Sequence, residues 1–374
     1  MKITYSTNID PSGYSSCARA YIKSIYKNPR CEEIKIIINN VARNINSIGI
    51  DIKDLEFFSG LSVKKSSEDS ILVQHTVPDR MIFGNKKNIL YTVVEMECPD
   101  KWVYICNNCD LVLTASFFCK EIMSSCGIKE DIIKVVPHCL DLDIWNEKVI
   151  PLNISNLKDF NFLFVGDYTP RKNGDILIQS FLKTFRGRTD VSLTMKAYYN
   201  SFSLNDQENL VNRMKVEIEK SGVPLEERPP IYFYGDPILE SLMPRFMSSF
   251  DCLVSPHRGE GFGLCMAQMM ALGKSVISTR YSGNLEYMND SNSFLVEIKD
   301  KKEPVPQEMA IINPNFIGKE WVAIEEESLE KQMLLVSNNK KERDLRSLSA
   351  LESIKGFSSN RISNLFLDSL EGIL

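Results

Sequence analysis

The stretch from Asp251 to Thr279 constrains the fold of this chain more than any other. A short apolar run, Asp251-Cys-Leu-Val254, leads into Ser255-Pro-His-Arg-Gly-Glu-Gly-Phe-Gly-Leu-Cys-Met-Ala-Gln-Met-Met-Ala-Leu-Gly273, and a second apolar run, Ser275-Val-Ile-Ser-Thr279, follows. The pattern is a strand, a glycine-bearing loop, a helix closed by Gly273 and another strand. Open α/β sheets bind ligands at such loops, at the carboxyl ends of parallel strands. Gly261 and Gly263 leave the backbone N–H groups near the helix start uncovered, and with the positive end of the helix dipole these suit a phosphate or a sugar hydroxyl. Glu260 and Gln268 are eight positions apart, a little over two helical turns, so both side chains can face one side. Taken in isolation the pattern also fits a tight helix start with a capping glutamate.

The rest of the chain repeats the theme. Lys2 to Tyr5, Glu33 to Ile38, Ile71 to Gln74, Asn88 to Val94, Leu111 to Thr114 and Ile132 to Val136 read as strands, with helical patterns over Ser16 to Tyr26 and Phe117 to Cys126. Asn146 to Asp159 reads as a linker. A second series has strands at Phe160 to Val165, Val191 to Lys196, Ile231 to Tyr234 and Cys252 to Val254, and helices at Asp175 to Phe185, Asp206 to Lys220 and Leu239 to Ser248. Lys299 to Trp321, with Pro304, Pro306 and Pro314, reads as an irregular surface excursion. Helices are expected over Glu325 to Ser337, Lys340 to Lys355 and Arg361 to Leu374. Strands alternating with helices imply an α/β protein with parallel sheets covered on both faces. At 374 residues two domains are expected: residues 1–150, residues 151–345, and a terminal helical segment, 346–374, packing back toward the first domain.

Composition narrows the function. The net charge of −5 argues against nucleic acid as a partner. No apolar run is long enough to span a bilayer, and the pairs Lys64-Lys65 and Lys86-Lys87 support at most peripheral membrane contact. The amino terminus reads as a first strand, without a signal-peptide core. Ten cysteines lack the spacing of a disulfide framework and point to a reducing, cytoplasmic setting. Cys106-Asn-Asn-Cys109 is the one C-x-x-C, and with no second close pair it reads as thiols on a buried helix.

A second glycine-bearing loop, Val165-Gly-Asp-Tyr-Thr-Pro-Arg-Lys-Asn-Gly174, also lies between a strand and a helix. Arg171 can grip a pyrophosphate through its planar fork and Lys172 as a point charge; in a plain turn the same pair would be solvated basic residues. His75 ends a strand, ahead of Thr76-Val-Pro78. His138 follows a strand and is expected at the hinge between the domains, and His257 is expected to brace the Glu260 loop.

The phrases FLFVGDYTPRKNGDILIQSF, SPHRGEGFGLCMAQMMALGKSVIST and YSGNLEYM together resemble the retaining glycosyltransferases of family 4 (glycosyl transferases group 1), which have the GT-B fold. The resemblance is strong from Phe160 to Leu374 and weaker before it, in TVVEMECPDKW and IIKVVPHCLDLDIW. It implies two Rossmann-like domains facing a central cleft. It implies a catalytic set of Glu260, His75, Arg171 and Lys172. It implies donor contacts from Gly13, Gly166, Tyr234, Leu239, Gly261, Phe262, Gly263, Leu264 and Gln268. Lys172 matches the family's lysine, whereas Asp167 stands in place of its usual arginine, and Gln268 in place of the second acid of the E-x7-E pattern. An amide still accepts from one ribose hydroxyl but without the charge-assisted bond.

The implied reaction moves a sugar from a UDP- or GDP-linked donor to an acceptor hydroxyl, with retention and without a metal or other cofactor. The acceptor is a glycan, a lipid-linked sugar, a protein or a small molecule. The departures at Asp167 and Gln268 motivate an alternative, a catalytically silent GT-B protein acting as a binding or scaffold subunit. A sugar-nucleotide epimerase is a third reading.

Overall fold

In a computed structural model, residues 1–10, 12–41, 49–198, 203–312 and 314–373 are described. The chain divides into two compact units. The first comprises Met1–Asp143, Leu239–Ser241 and Lys355–Leu374, and the second Ile144–Ile238 and Leu242–Ile354.

The first unit is built on six parallel strands: β1 (Lys2–Ile9), β2 (Glu33–Val41), β3 (Ile71–His75), β4 (Ile89–Tyr91), β5 (Leu111–Thr114) and β6 (Ile133–Val135). Their spatial order is β2-β1-β3-β4-β5-β6, so the direction of winding reverses between β1 and β3. The connections carry α1 (Gly13–Lys27), α2 (Ile52–Leu61), α3 (Asp100–Asn107) and α4 (Phe117–Ser125). Ser12 caps α1 by accepting from the Ser15 N–H, which satisfies one orphan donor of the first turn. Tyr5, Tyr21, Ile22, Val73 and Tyr91 are fully buried on the sheet. Cys106 and Cys109 are buried in a smaller apolar cluster with Cys98 and Cys119, and α3 ends before Cys109.

The second unit has β7 (Phe160–Asp167), α5 (Gly174–Thr184), β8 (Val191–Tyr198), α6 (Leu204–Lys220), β9 (Ile231–Tyr234), α7 (Met243–Ser248), β10 (Cys252–Ser255), α8 (Leu264–Ala271), β11 (Ser275–Thr279) and β12 (Phe294–Val296). The sheet order is β12-β11-β10-β7-β8-β9, all parallel. This is the doubly wound Rossmann order, with its reversal between β7 and β10. Two helices, α10 (Glu326–Asn338) and α11 (Lys340–Ile354), complete this unit, and the final helix α12 (Ser359–Glu371) belongs to the first. There Ser24 Oγ donates to Ser359 O at 2.6 Å and Asn28 Nδ2 to Ser363 Oγ at 3.0 Å. Leu374, the last residue of the helix expected from the sequence, lies outside the described residues.

The two Rossmann-like sheets agree with the expected fold class. The expected excursion at 299–321 instead contains a short antiparallel pair, β13 (Glu303–Pro304) with β14 (Glu320–Trp321), and a one-and-a-half-turn helix, α9 (Gln307–Ile312). Trp321 is buried there under Arg258, whose guanidinium lies 5.3 Å from its ring. Among the described residues no helix is long and apolar enough to cross a membrane.

The core of the second unit is aromatic: Phe160, Phe162, Phe164, Phe181 and Phe185 pack between β7 and α5. Phe181 is fully buried, so Phe181→Ala should destabilise this unit by about 3–5 kcal/mol through lost burial and the cavity left behind, measurable as a lowered urea midpoint.

Candidate active site

The loops after β7 and β10 leave neighbouring parallel strands at the reversal of strand order, so they emerge side by side. They are also bonded together. Arg258 N donates to Arg171 O at 2.8 Å, and Asn173 Nδ2 donates to Pro256 O at 3.0 Å. Asn173 adopts a left-handed conformation, φ 62°, as it opens α5, which asparagine tolerates better than most residues.

These constraints bring Arg171, Lys172 and Glu260 to one point. Arg171 Nη1 donates to Gly259 O at 2.8 Å and to Glu260 Oε1 at 3.0 Å, and the Lys172 ammonium pairs with the same carboxylate oxygen. Glu260 is buried, 7% exposed. Burial raises its pKa, but Lys172, Arg171 and His257 outweigh that cost and bring it down to about 2. Burial lowers the Lys172 pKa while Glu260 opposes it, and the net direction is upward. Asp167 accepts from Thr169 Oγ1 at 3.1 Å and lies 4.0 Å from the Arg171 guanidinium. Arg171 and Lys172 are thus matched by Glu260 and Asp167.

The Glu260 loop is fixed from behind by the segment after β11. Glu260 N donates to Ser282 Oγ at 2.9 Å, and Gly283 N donates to Glu260 O at 2.9 Å. A β-carbon on Gly283 would overlap the Gly261 carbonyl, so the two backbones touch. Tyr287 Oη lies 2.9 Å from Phe262 O and 2.7 Å from Gly263 O, the carbonyls to which its hydroxyl donates. The His257 ring is buried; its Nδ1 lies 3.1 Å from Ser255 O and its Nε2 3.2 Å from Tyr281 O, and burial lowers its pKa. It braces the loop. Gly263 opens α8 at φ 84°, where a side chain would be strained. Gly261, Phe262 and Gly263 are buried, and Leu264 and Gln268 on α8 are half-buried. Gly166 lies under the Lys172 side chain, its β-carbon direction 3.6 Å from Lys172 Cε.

Tyr234 ends the edge strand β9 and is 42% exposed; its ring packs on Phe246 and lies 5.8 Å from the Lys196 ammonium. Lys196 escaped the sequence reading. It is buried in β8, and burial brings its pKa down to about 8 against the opposing effect of Asp236. A lysine inside the apolar strand VSLTMKAY was the available signal. Leu239 is exposed and groups with the first unit.

Gly13 and His75 lie in the first unit. Gly13 is the exposed first residue of α1. His75 ends β3, beside the winding reversal, and lines a cavity of about 210 Å³ with Thr7, Asn8, Asp10, Ser12, Tyr14 and Arg80 among others. His138 is buried in this unit with Nδ1 3.2 Å from the Tyr91 hydroxyl, and burial lowers its pKa to about 3.

Residues 159–310, most of which lie in the second unit, match the family model described as Glycosyl transferases group 1. Over 194 residues the chain is 28% identical to an uncharacterized glycosyltransferase, MJ1178, of Methanocaldococcus jannaschii, and the match spans half of each chain. The whole fold is similar to that of Anabaena HepE solved with UDP and glucose, at a TM-score of 0.70, 13% identity and full coverage of both chains. It is also similar to the sucrose-phosphate synthase of Thermosynechococcus elongatus, at a TM-score of 0.68 and 13% identity, covering 100% of this chain and 99% of that one. The fold is therefore GT-B.

The depressed pKa of Glu260 has a thermodynamic consequence. Its folded pKa lies below the unfolded value, so its charge stabilises the fold above about pH 4.3, and this contribution is lost as pH falls toward 2. In Glu260→Gln that contribution is missing and two buried cations lose their counter-charge. The stability gap between wild type and variant should therefore be widest near pH 7 and narrow progressively from pH 5 to pH 2, as read by urea melts across that range.

Proposed function

We propose that this protein is a retaining glycosyltransferase that moves a sugar from a UDP-linked donor to an acceptor hydroxyl without a metal. The observation that carries this reading is the convergence of Arg171, Lys172 and Glu260 at the strand-order reversal of a glycosyltransferase group 1 domain. UDP and glucose in the HepE structure support uridine as the base.

In this reading the donor diphosphate lies against Arg171, Lys172 and the amino terminus of α8, which stabilise charge as it develops on the leaving group. The diphosphate takes over the two cations, and the Glu260 carboxylate turns to the hydroxyls of the transferred sugar. The bond from the anomeric carbon to the phosphate oxygen breaks as the acceptor oxygen bonds to the same face. The acceptor proton passes to the departing diphosphate. Tyr234 contacts the base and Gln268 the ribose; Leu239, Gly13 and His75 complete the proposed set of donor-binding residues. The acceptor is a glycan, a lipid-linked sugar, a protein or a small molecule, and the setting is cytoplasmic.

A second reading is favoured by one observation: Asp167 and Glu260 already balance the two cations. Such a site would suit a silent GT-B subunit that binds its ligand weakly and transfers nothing.

Calorimetry against UDP, GDP and ADP, followed by transfer assays from UDP-glucose onto a panel of acceptors, separates the two. Loss of a charge-assisted contact weakens binding by about 1.5–3 kcal/mol, so Lys172→Ala should bind UDP roughly 10–100-fold less tightly and lose transfer. Product with the donor's anomeric configuration, formed equally with and without EDTA, is the expected result. Wild-type protein that binds no nucleotide would defeat the enzyme reading.

A further inference from the structure

The first unit holds a buried hydrogen bond, between Tyr5 and His75, that no role above uses. Tyr5, in the middle of β1, is fully buried, and its hydroxyl lies 2.8 Å from His75 Nδ1. His75 is also buried, edge-on to the ring of Tyr14 and tilted against that of Tyr91, with centroids 4.5 and 4.4 Å away. Its other ring nitrogen, Nε2, is buried without a hydrogen-bond partner among the described residues, and so is Thr7 Oγ1. Both residues line the cavity at the reversal of the first sheet. Two orphaned polar atoms at one small cavity call for a ligand, because buried polar groups are otherwise bonded.

The protons can be placed by elimination. Burial, with His138 as a smaller contributor, lowers the His75 pKa well below its ordinary value, so the ring is neutral and carries one N–H. If Nδ1 carried it, that N–H would donate to Tyr5, and the Tyr5 hydroxyl hydrogen would be left without an acceptor beside a bare Nε2. Two groups would then be unsatisfied. If Tyr5 donates to Nδ1, only the Nε2–H is unsatisfied. The tautomer is set by the bond that the other nitrogen makes.

We infer that Tyr5 is a positioning residue: it locks His75 as the Nε2–H tautomer, so that His75 offers the cavity a hydrogen-bond donor, and the ligand meets it with a neutral acceptor oxygen such as a sugar hydroxyl or ring oxygen. Thr7 Oγ1 supplies the second contact. The volume of about 210 Å³ is below that of pockets for drug-sized ligands and is of the order of seven waters, a space for one ring. The lone pair of Nδ1 is held by Tyr5 and Nε2 already bears a proton, so His75 cannot accept the acceptor's proton as a general base. This inference rests on the proposed placement of His75 in the site, but the tautomer is tested separately from any transfer activity.

The test is nitrogen-15 NMR of the full chain labelled in histidine, with His75 assigned through His75→Gln. A protonated Nε2 and an unprotonated Nδ1 are expected, with the Nε2–H signal moving when UDP-glucose or methyl α-glucoside is added. Tyr5→Phe keeps the ring and removes only the hydroxyl. It should shift His75 to a mixed or Nδ1–H form and raise the UDP-glucose KM about tenfold with little change in kcat, while His75→Gln, which keeps an amide donor, should retain more affinity than His75→Ala. A wild-type His75 protonated at Nδ1, or His75 resonances unchanged in Tyr5→Phe, overturns the inference. So does an Nε2–H signal that stays still while calorimetry shows the sugar bound. A locked tautomer in a protein that transfers nothing would count against the enzymatic reading alone.

Discussion

The Glu260 carboxylate is the interaction around which the second unit's ligand-facing surface is organised. A buried carboxylate is tolerable only where the attraction of its partners exceeds the cost of leaving water, and Glu260 meets that condition by sharing one oxygen between Arg171 and Lys172. The pairing demands that the loops after β7 and β10 hold a fixed separation. Sheet topology provides it, since these strands are neighbours where the winding reverses. Backbone contacts then stiffen it: Arg258 to Arg171 between the loops, and Gly283 against Gly261 from behind. Because removing Glu260 leaves Arg171 and Lys172 opposed by Asp167 alone, the cluster is a structural element as well as a candidate binding site.

That cluster was largely legible in the sequence because each of its loops is bracketed by strong signals. A buried strand of apolar residues precedes each, and a glycine or asparagine suited to a left-handed start opens each helix, as at Asn173 and Gly263. What escaped the reading lacked such periodicity. Only Phe58 of α2 is buried, so that helix writes no apolar stripe, and the buried helix read for Cys106 and Cys109 is α3, which buries Cys106 alone and ends before Cys109. The β13–β14 pair is two residues long on each side and is held by Trp321 burying itself under Arg258, a contact made across more than sixty positions of chain. Lys196 and the Tyr5–His75 bond belong to a third kind. A lysine or tyrosine inside a strand is visible, but which strand it faces follows from the register, and that is fixed only when the sheet is assembled.

The same geometry explains why Asp167 matters more than a single substitution at a loop suggests. With an arginine at that position the cradle would be strongly cationic. With Asp167 beside Arg171, the four side chains at the junction carry two positive and two negative charges. In the proposed reaction, a diphosphate gains Arg171 and Lys172 only as Glu260 releases them, so the side chains contribute a difference between two sets of charge-assisted bonds and not a full set. The backbone at the start of α8 is set by the left-handed Gly263, by the donation of Tyr287 to the loop carbonyls and by the contact of Gly283 with Gly261. In the proposed reaction Gln268, further along α8, adds no charge on the ribose side, so the cations bring only that difference to the donor and the rigid packing behind the Glu260 loop is what holds them in place for it.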